Sequence, residues 1–274
     1  MKFVNLIVGQ KRNLMSNLDS ISKCQHKKFE NINLFIFWDE DNLTSSEKLF
    51  LKKKYKNVFF HSVKSKYFKI KINNILKKKN FSKEFKNTLV ANFLQYSLLK
   101  YAFDFTVKKL RNKNYKKYFW QRIRSDIYVQ DKIEKNIIRN KLYLPGTVHG
   151  YGFIDFHAIG SFNEFKTYSN TVETLVNLYK LNIFLPPEIA LRMHLNKFQT
   201  NCILTDKLPS ALLENTKKRK LRHFYTLRGN KYLTNSYSKN TIEEGFRFMN
   251  NFILRKFYYH IYNYIIKIKL KFSN

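Results

Sequence analysis

Three short apolar runs, residues 2–8, 32–38 and 58–63, stand apart from one another across polar, helix-prone segments. Strand-length apolar runs alternating with helical stretches specify an α/β sheet of the nucleotide-binding kind, with right-handed crossovers. A long helix follows over residues 84–110, with Leu89, Phe93, Tyr96, Leu99 and Phe103 at helical spacing. Asn92, Gln95 and Lys100 interrupt that stripe and read as a solvated face or, near the sheet edge, as a ligand contact. The Lys-rich stretch 64–82 between them has no clear period and is expected at the surface.

A basic turn, residues 111–117, then delivers the chain into Tyr118-Phe119-Trp120-Gln121-Arg122-Ile123-Arg124-Ser125-Asp126-Ile127-Tyr128. The first half is aromatic and apolar, and the second half alternates, so it reads as a buried strand that emerges into chemistry. Strand side chains point to opposite faces in turn, which places Arg122, Arg124 and Asp126 on one face. Two cations and a carboxylate at a strand exit suit a metal-bound diphosphate: Mg²⁺ or Mn²⁺ takes carboxylate and phosphate oxygens, and Arg forks onto phosphate. An ordinary Arg-Asp ion pair at a strand end is the competing reading.

Other residues could face the same cleft. Gly9 ends the first strand, where a glycine lets a ligand approach the backbone, and Gln10 and Arg12 follow it. Asp39-Glu40-Asp41 closes the second strand; Asp39 either faces the cleft of Asp126 or, with its neighbours, starts the next helix, for which Thr44-Ser45-Ser46-Glu47 supplies N-cap candidates. Beyond a helix-like piece over 132–139 and a strand over 142–144, the loop 145–152 carries Gly146, Gly150 and Gly152, in a chain with only 7 glycines. It reads as a close-approach segment. The next strand, 153–161, puts Asp155 and His157 on one face by alternation, with Phe156 and Ala158 on the other. A single helix is expected over 161–181, and Pro186-Pro187-Glu188 opens another, where Glu188 serves as a dipole-matched first-turn acid or as a catalytic carboxylate.

Composition bounds the partners. With 274 residues and 44% hydrophobic content the chain can bury a full core, and its 17% aromatic content excludes disorder despite the charge. The formal net charge of +33 invites a polyanion: a nucleic acid, an anionic membrane surface or a phosphate-rich substrate. Part of the Lys excess fits AT-rich codons filling tolerant surface positions, and Lys without Arg is poor evidence for base reading. Cys24 and Cys202 show neither disulfide nor zinc spacing, which fits a reducing cytoplasm. No apolar run reaches bilayer-spanning length, and residues 1–12 read as a first strand rather than a signal peptide. Beyond residue 215 the composition shifts to the basic connector Lys217-Lys218-Arg219-Lys220 and, from Thr241, a helix mixing aromatic, aliphatic and basic residues. That tail would lie in a membrane interface or pack on protein.

Taken in order, Leu6-Ile7-Val8-Gly9-Gln10-Lys11-Arg12, the Trp38-Asp39 strand end, Asn92-Phe93-Leu94-Gln95-Tyr96, Arg122-Ile123-Arg124-Ser125-Asp126 and Asp155-Phe156-His157-Ala158-Ile159-Gly160-Ser161 resemble a known group. They are similar to the bacterial glycosyltransferases of lipopolysaccharide and capsule synthesis, near the WavE-type group, over about the first two thirds of the chain. The resemblance implies a GT-A-like, Rossmann-like mixed sheet flanked by helices over residues 1–215, followed by a basic connector and helical tail over 216–274. It implies a nucleotide-sugar donor, a glycan or lipid-linked glycan acceptor, and a divalent cation, Mn or Mg, held by Asp126. Ser125-Asp126 follows Arg124 where a full DxD would carry a second acid. Gly9, Gln10, Arg12, Asp39, Arg122 and Arg124 would hold the donor, and Asp155 or Glu188 would serve as the general base. The expected location is the cytoplasm, peripheral on the inner face of the membrane. Two alternatives stand beside it. One is a basic nucleic-acid-binding protein, for which no RNP-like, zinc-finger or helix-turn-helix signature is present. The other is a non-catalytic membrane-surface protein with a degenerate glycosyltransferase fold, which Ser125 would suit.

Overall fold

The first strand, β1 (Lys2–Gly9), is buried from Phe3 to Val8, so both of its faces are covered. A continuous apolar run of this kind belongs in the middle of a parallel sheet. In the computed structural model the described residues are 2–11, 14–25, 29–77, 81–128, 137–145, 148–149, 152–153, 155–185, 187–205, 211–213 and 221–223. They all belong to one compact unit, Met1–Gly229; the second, Asn230–Asn274, and with it the expected tail helix, lies outside the described residues. The expected helix-like piece at 132–139 lies mostly outside them too.

The chain continues through α1 (Leu18–Cys24), β2 (Glu30–Trp38), α2 (Ser45–Lys54), β3 (Val58–Val63), α3 (Ser65–Leu76), α4 (Lys83–Lys109) and β4 (Phe119–Ile123). Then come β5 (Ile127–Tyr128), β6 (Leu142–Pro145), β7 (Val148–His149), β8 (Gly152–Phe153) and β9 (His157–Ser161). The last described elements are α5 (Phe162–Ser169), α6 (Thr171–Lys180), α7 (Pro187–Lys197), β10 (Cys202–Thr205), β11 (Ala211–Leu213) and β12 (Leu221–His223). The main sheet has seven strands in the order β10-β6-β9-β4-β1-β2-β3. β1 runs parallel to both β2 and β4, whereas β9 runs antiparallel to β4 and β6. The expected α/β mixed sheet flanked by helices is therefore the fold.

The faces of the sheet follow from the alternation of its side chains. Phe3, Ile7, Phe35, Phe37, Phe119 and Ile123 pack with Leu18 and Ile21 of α1 and Leu51 of α2. On the opposite face Trp120 packs against Phe103 of α4, with ring centroids 4.9 Å apart, and Phe165 of α5. Local signals set the helix starts. Thr44 and Glu47 close a reciprocal capping box on α2, with Thr44 N–H to Glu47 Oε2 at 2.8 Å, and Ser82 Oγ caps α4 at Phe85 N–H.

The stretch 64–82, expected at the surface without a clear period, contains the helix α3, of which only Ser65, Ile72 and Leu76 are buried. One local expectation changes. The helix expected over 161–181 is two, α5 and α6, meeting at Asn170. Hydroxyls do this: Ser169 Oγ and Thr171 Oγ1 each donate to carbonyls three residues back, at 2.8 Å, and so compete with the helical ladder. A separate three-stranded sheet forms where β11 pairs with both β12 and β5.

Candidate functional site

β1 leads through α1 to β2 on one side of it, while β4 lies on its other side, so the strand order reverses between β1 and β4. In open α/β sheets the ligand crevice lies outside the carboxyl ends of the strands at such a reversal. Here the residues at those two ends are Gly9-Gln10-Lys11 and Arg124-Ser125-Asp126. Gly9 has a φ of 137°, a conformation that favours glycine, and a Cβ placed on it would meet nothing within 4 Å. The backbone there is open to close approach. Gln10 is exposed beside it, and Arg12 lies outside the described residues.

The two strand exits are laced together. Ser125 Oγ donates to the Gln10 carbonyl, and the buried Asn17 Nδ2 donates to the carbonyls of Ser125, at 3.0 Å, and Ile127. Asn17 was not singled out from the sequence; a polar residue at a helix start has too many ordinary uses to reveal this one. Lys11 points away to the α2 start, reaching the Asn42 carbonyl at 3.2 Å and Glu47 at 3.1 Å.

The expected trio of Arg122, Arg124 and Asp126 separates into two pairs. Arg124 grips Asp126 with two hydrogen bonds, Nε to Oδ1 at 3.0 Å and Nη2 to Oδ2 at 2.8 Å. Asp126 is nearly buried while the Arg124 side chain keeps 21% of its surface exposed. Arg124 Nη1 has no partner among the described residues, so the fork is aimed by Asp126 with one nitrogen to spare.

Arg122 instead turns into the layer between sheet and helices. It is fully buried, with Nη1 bonded to the Asp155 carbonyl, to Asp155 Oδ2 at 3.3 Å and to Tyr168 Oη at 3.1 Å. Burial opposes its charge, but Tyr168 and Asp155 outweigh burial and hold the guanidinium above its ordinary value. Gln95 of α4 donates to Asp155 Oδ2, so the polar interruption of that helix faces inward to a carboxylate rather than outward to solvent. Tyr96, beside it, donates to the Pro187 carbonyl at 3.2 Å. Burial pushes the Tyr96 phenol well above its usual range, and the charges of Asp155 and Glu188 push the same way. The two candidate base positions are thus brought to one region. Asp155 is 3% exposed and engaged by Arg122 and Gln95, which closes it to a substrate hydroxyl; Glu188, in the first turn of α7, is half-buried.

Asp155 and His157 do not share a face. β9 begins only at His157, and the bend before it breaks the two-residue alternation. His157 therefore meets the α1 layer, with Gln121 Nε2 3.0 Å from its Nε2 and Cys24 Sγ 4.0 Å from its Nδ1. Burial pulls the imidazole down to about 3 and pushes the Cys24 thiol up. This is a neutral thiol beside a neutral imidazole, fully enclosed, and so an inert core cluster rather than an activated nucleophile.

Asp39 also faces elsewhere. Its Oδ1 accepts the Ser65 N–H at 3.1 Å while Glu40 accepts the Ser65 hydroxyl at 2.6 Å and pairs with Lys69. Asp39 and Glu40 thus serve the start of α3, one helix later than the one the acidic run was expected to initiate. As for a divalent cation, Asp126 has both oxygens engaged by Arg124, and no group of three or more His, Cys, Asp or Glu gathers among the described residues. The donor set does not fit a protein-held Mn or Mg, and no chemical step is assigned to one.

Fold and rim together define a mixed α/β protein, a seven-stranded sheet flanked by helices, with a half-buried arginine paired to Asp126 at its switch point. The chain is similar in structure to mouse xyloside xylosyltransferase 1 in its apo form, at a TM-score of 0.35 and 10% identity, covering 76% of this chain and 79% of that one. No family model and no curated protein matches the sequence.

Proposed function

We propose that this protein is a nucleotide-sugar-dependent glycosyltransferase that adds a sugar to a growing surface glycan of the lipopolysaccharide or capsule type. The reading rests on one observation: the open Gly9 backbone and the Asp126-aimed Arg124 fork meet at the strand-order reversal. The ordered motifs that resemble lipopolysaccharide glycosyltransferases lie on the same elements.

In this mechanism the donor diphosphate lies across the exits of β1 and β4. Arg124 Nη1 donates to a phosphate oxygen and stabilises the charge that grows on the leaving nucleoside diphosphate. Glu188 accepts the proton of the acceptor hydroxyl as that oxygen attacks the anomeric carbon. Arg122 and Asp155 take no direct part; they fix the register of β4 against β9 and the α5 layer.

Calorimetry with a panel of nucleoside diphosphates tests the binding half. Arg124→Ala should weaken the best diphosphate by roughly tenfold or more, the value of a charge-assisted hydrogen bond, measured at a temperature where both proteins are folded because the variant leaves Asp126 unpaired. Equal binding by the variant and the wild type would refute the site. A second reading is favoured by the engagement of both Asp126 and Asp155 with arginines: a protein that binds nucleotide sugar without transferring it. Donor binding with no transfer to any glycan acceptor would select it.

A further inference from the structure

We propose that the outward face of α2 docks on an anionic lipid surface. In α2 the sequence is Ser45-Ser46-Glu47-Lys48-Leu49-Phe50-Leu51-Lys52-Lys53-Lys54. Only Leu51 turns inward, to the core; Leu49 is 56% and Phe50 51% exposed. Lys53 stands four residues after Leu49 and three after Phe50, so on a helix it lies between them on the same face. Lys52 and Lys54 flank it, and all three lysines are exposed. The one acid of the helix, Glu47, is committed to the capping box and to Lys11. The lysines continue past the helix: Lys52, Lys53, Lys54 and Lys56 line an open concavity that ends at Val58 on the edge strand β3.

Two large apolar side chains framed by lysines, with no free acid among them, match a bilayer interface. Leu and Phe enter the acyl boundary while ammonium groups stay at the headgroup phosphates. The same face does not suit a second copy of this chain, because each copy would oppose lysines to lysines. Nor does it suit a nucleic acid. A phosphate backbone offers nothing to cover Leu49, and the face has no arginine to fork onto bases. The inference stands apart from the reaction proposed above, since it uses none of the residues at the switch point.

The test is co-sedimentation of the full-length chain with vesicles of phosphatidylcholine alone and with phosphatidylglycerol added, alongside the Leu49→Ser/Phe50→Ser double variant and the Lys52→Gln/Lys53→Gln/Lys54→Gln triple variant. The substituted positions are exposed, so circular dichroism and melting should match wild type. Wild type should pellet with the anionic vesicles and not the neutral ones, and each variant should lose at least about tenfold in partitioning. Three outcomes overturn the proposal: no wild-type binding to anionic vesicles; wild-type binding undiminished in both variants, which would assign it to another segment; or loss in the lysine variant alone with equal loss on a single-stranded oligonucleotide.

Discussion

Removing one member of the Arg122–Asp155 pair should cost stability before it costs anything else. Asp155→Asn leaves the shape of the side chain and removes its charge, stranding a guanidinium that has no exposed surface. At the 3.3 Å separation, Coulomb's law with an effective dielectric of 20 gives an attraction of about 5 kcal/mol before desolvation. Breaking one side of such a buried pair typically costs about 3–5 kcal/mol, since the abandoned charge stays desolvated. Replacing both members, Arg122→Met with Asp155→Leu, removes the unpaired charge and should recover most of that loss. Urea unfolding followed by tryptophan fluorescence suits the test, because Trp120 is buried two residues before Arg122. With an m-value on the order of 3 kcal/mol/M, either single variant should lower the midpoint by roughly 1 M or more. The double variant should fall closer to wild type than either single one. If both single variants stay within about 0.5 kcal/mol of wild type yet abolish diphosphate binding, the pair opens in solution and Arg122 belongs to the ligand site, against the geometry argued above.

Two further outcomes follow from buried groups. His157 and His194 are both held down by burial, to about 3 and about 4, so each is neutral when folded and binds a proton on unfolding below about 6.5. Their contribution is fully present above that unfolded value and is lost as pH falls toward 4, with a slope approaching about 2.7 kcal/mol per pH unit for the two protons. Urea midpoints measured from pH 7 to pH 4.5 should show it, and His157→Gln should remove about half of the histidine slope. Asn17→Ala should leave the Ser125 and Ile127 carbonyls without their buried donor, costing about 1–3 kcal/mol and weakening diphosphate binding beyond that loss of folded protein. Unchanged affinity in the folded fraction would show that the lacing supports the fold without aiming Arg124.

The sheet was legible because strands covered on both faces must be apolar throughout. Residues 2–8 and 32–38 carry that pattern, and β1 and β2 occupy them. The capping box at Thr44 and Glu47 was equally plain, since its two members lie three residues apart and need no tertiary information. The Arg124–Asp126 ion pair is the competing reading of the strand end, but the pairing of Arg122 was not legible. Alternation places Arg122 and Arg124 on one face, but only the antiparallel return of β9 brings Asp155 to Arg122, and the two are 33 residues apart in sequence. The same holds for Gln95, which breaks the apolar pattern of α4 as any solvated residue would. Its inward role needs Asp155, which is 60 residues away. His157 illustrates the limit of period-two reasoning: alternation fails where a strand has not yet begun.

In a chain with 52 Lys and Arg against 19 Asp and Glu, acids are the scarce partner, and their placement decides the field at the sheet's carboxyl rim. Two candidate acids near that rim are each matched by an arginine, Asp126 by Arg124 and Asp155 by Arg122, while Asp39 is turned to the Ser65 N–H. The arginines are not used alike, for Arg122 is neutralised inside while Arg124 is oriented by its acid and stays partly exposed. A fully buried pair thus stands beside a pair whose arginine is partly exposed, next to a backbone at Gly9 that is open to close approach. That arrangement is the physical ground of the proposal that the rim takes a diphosphate rather than a cationic ligand.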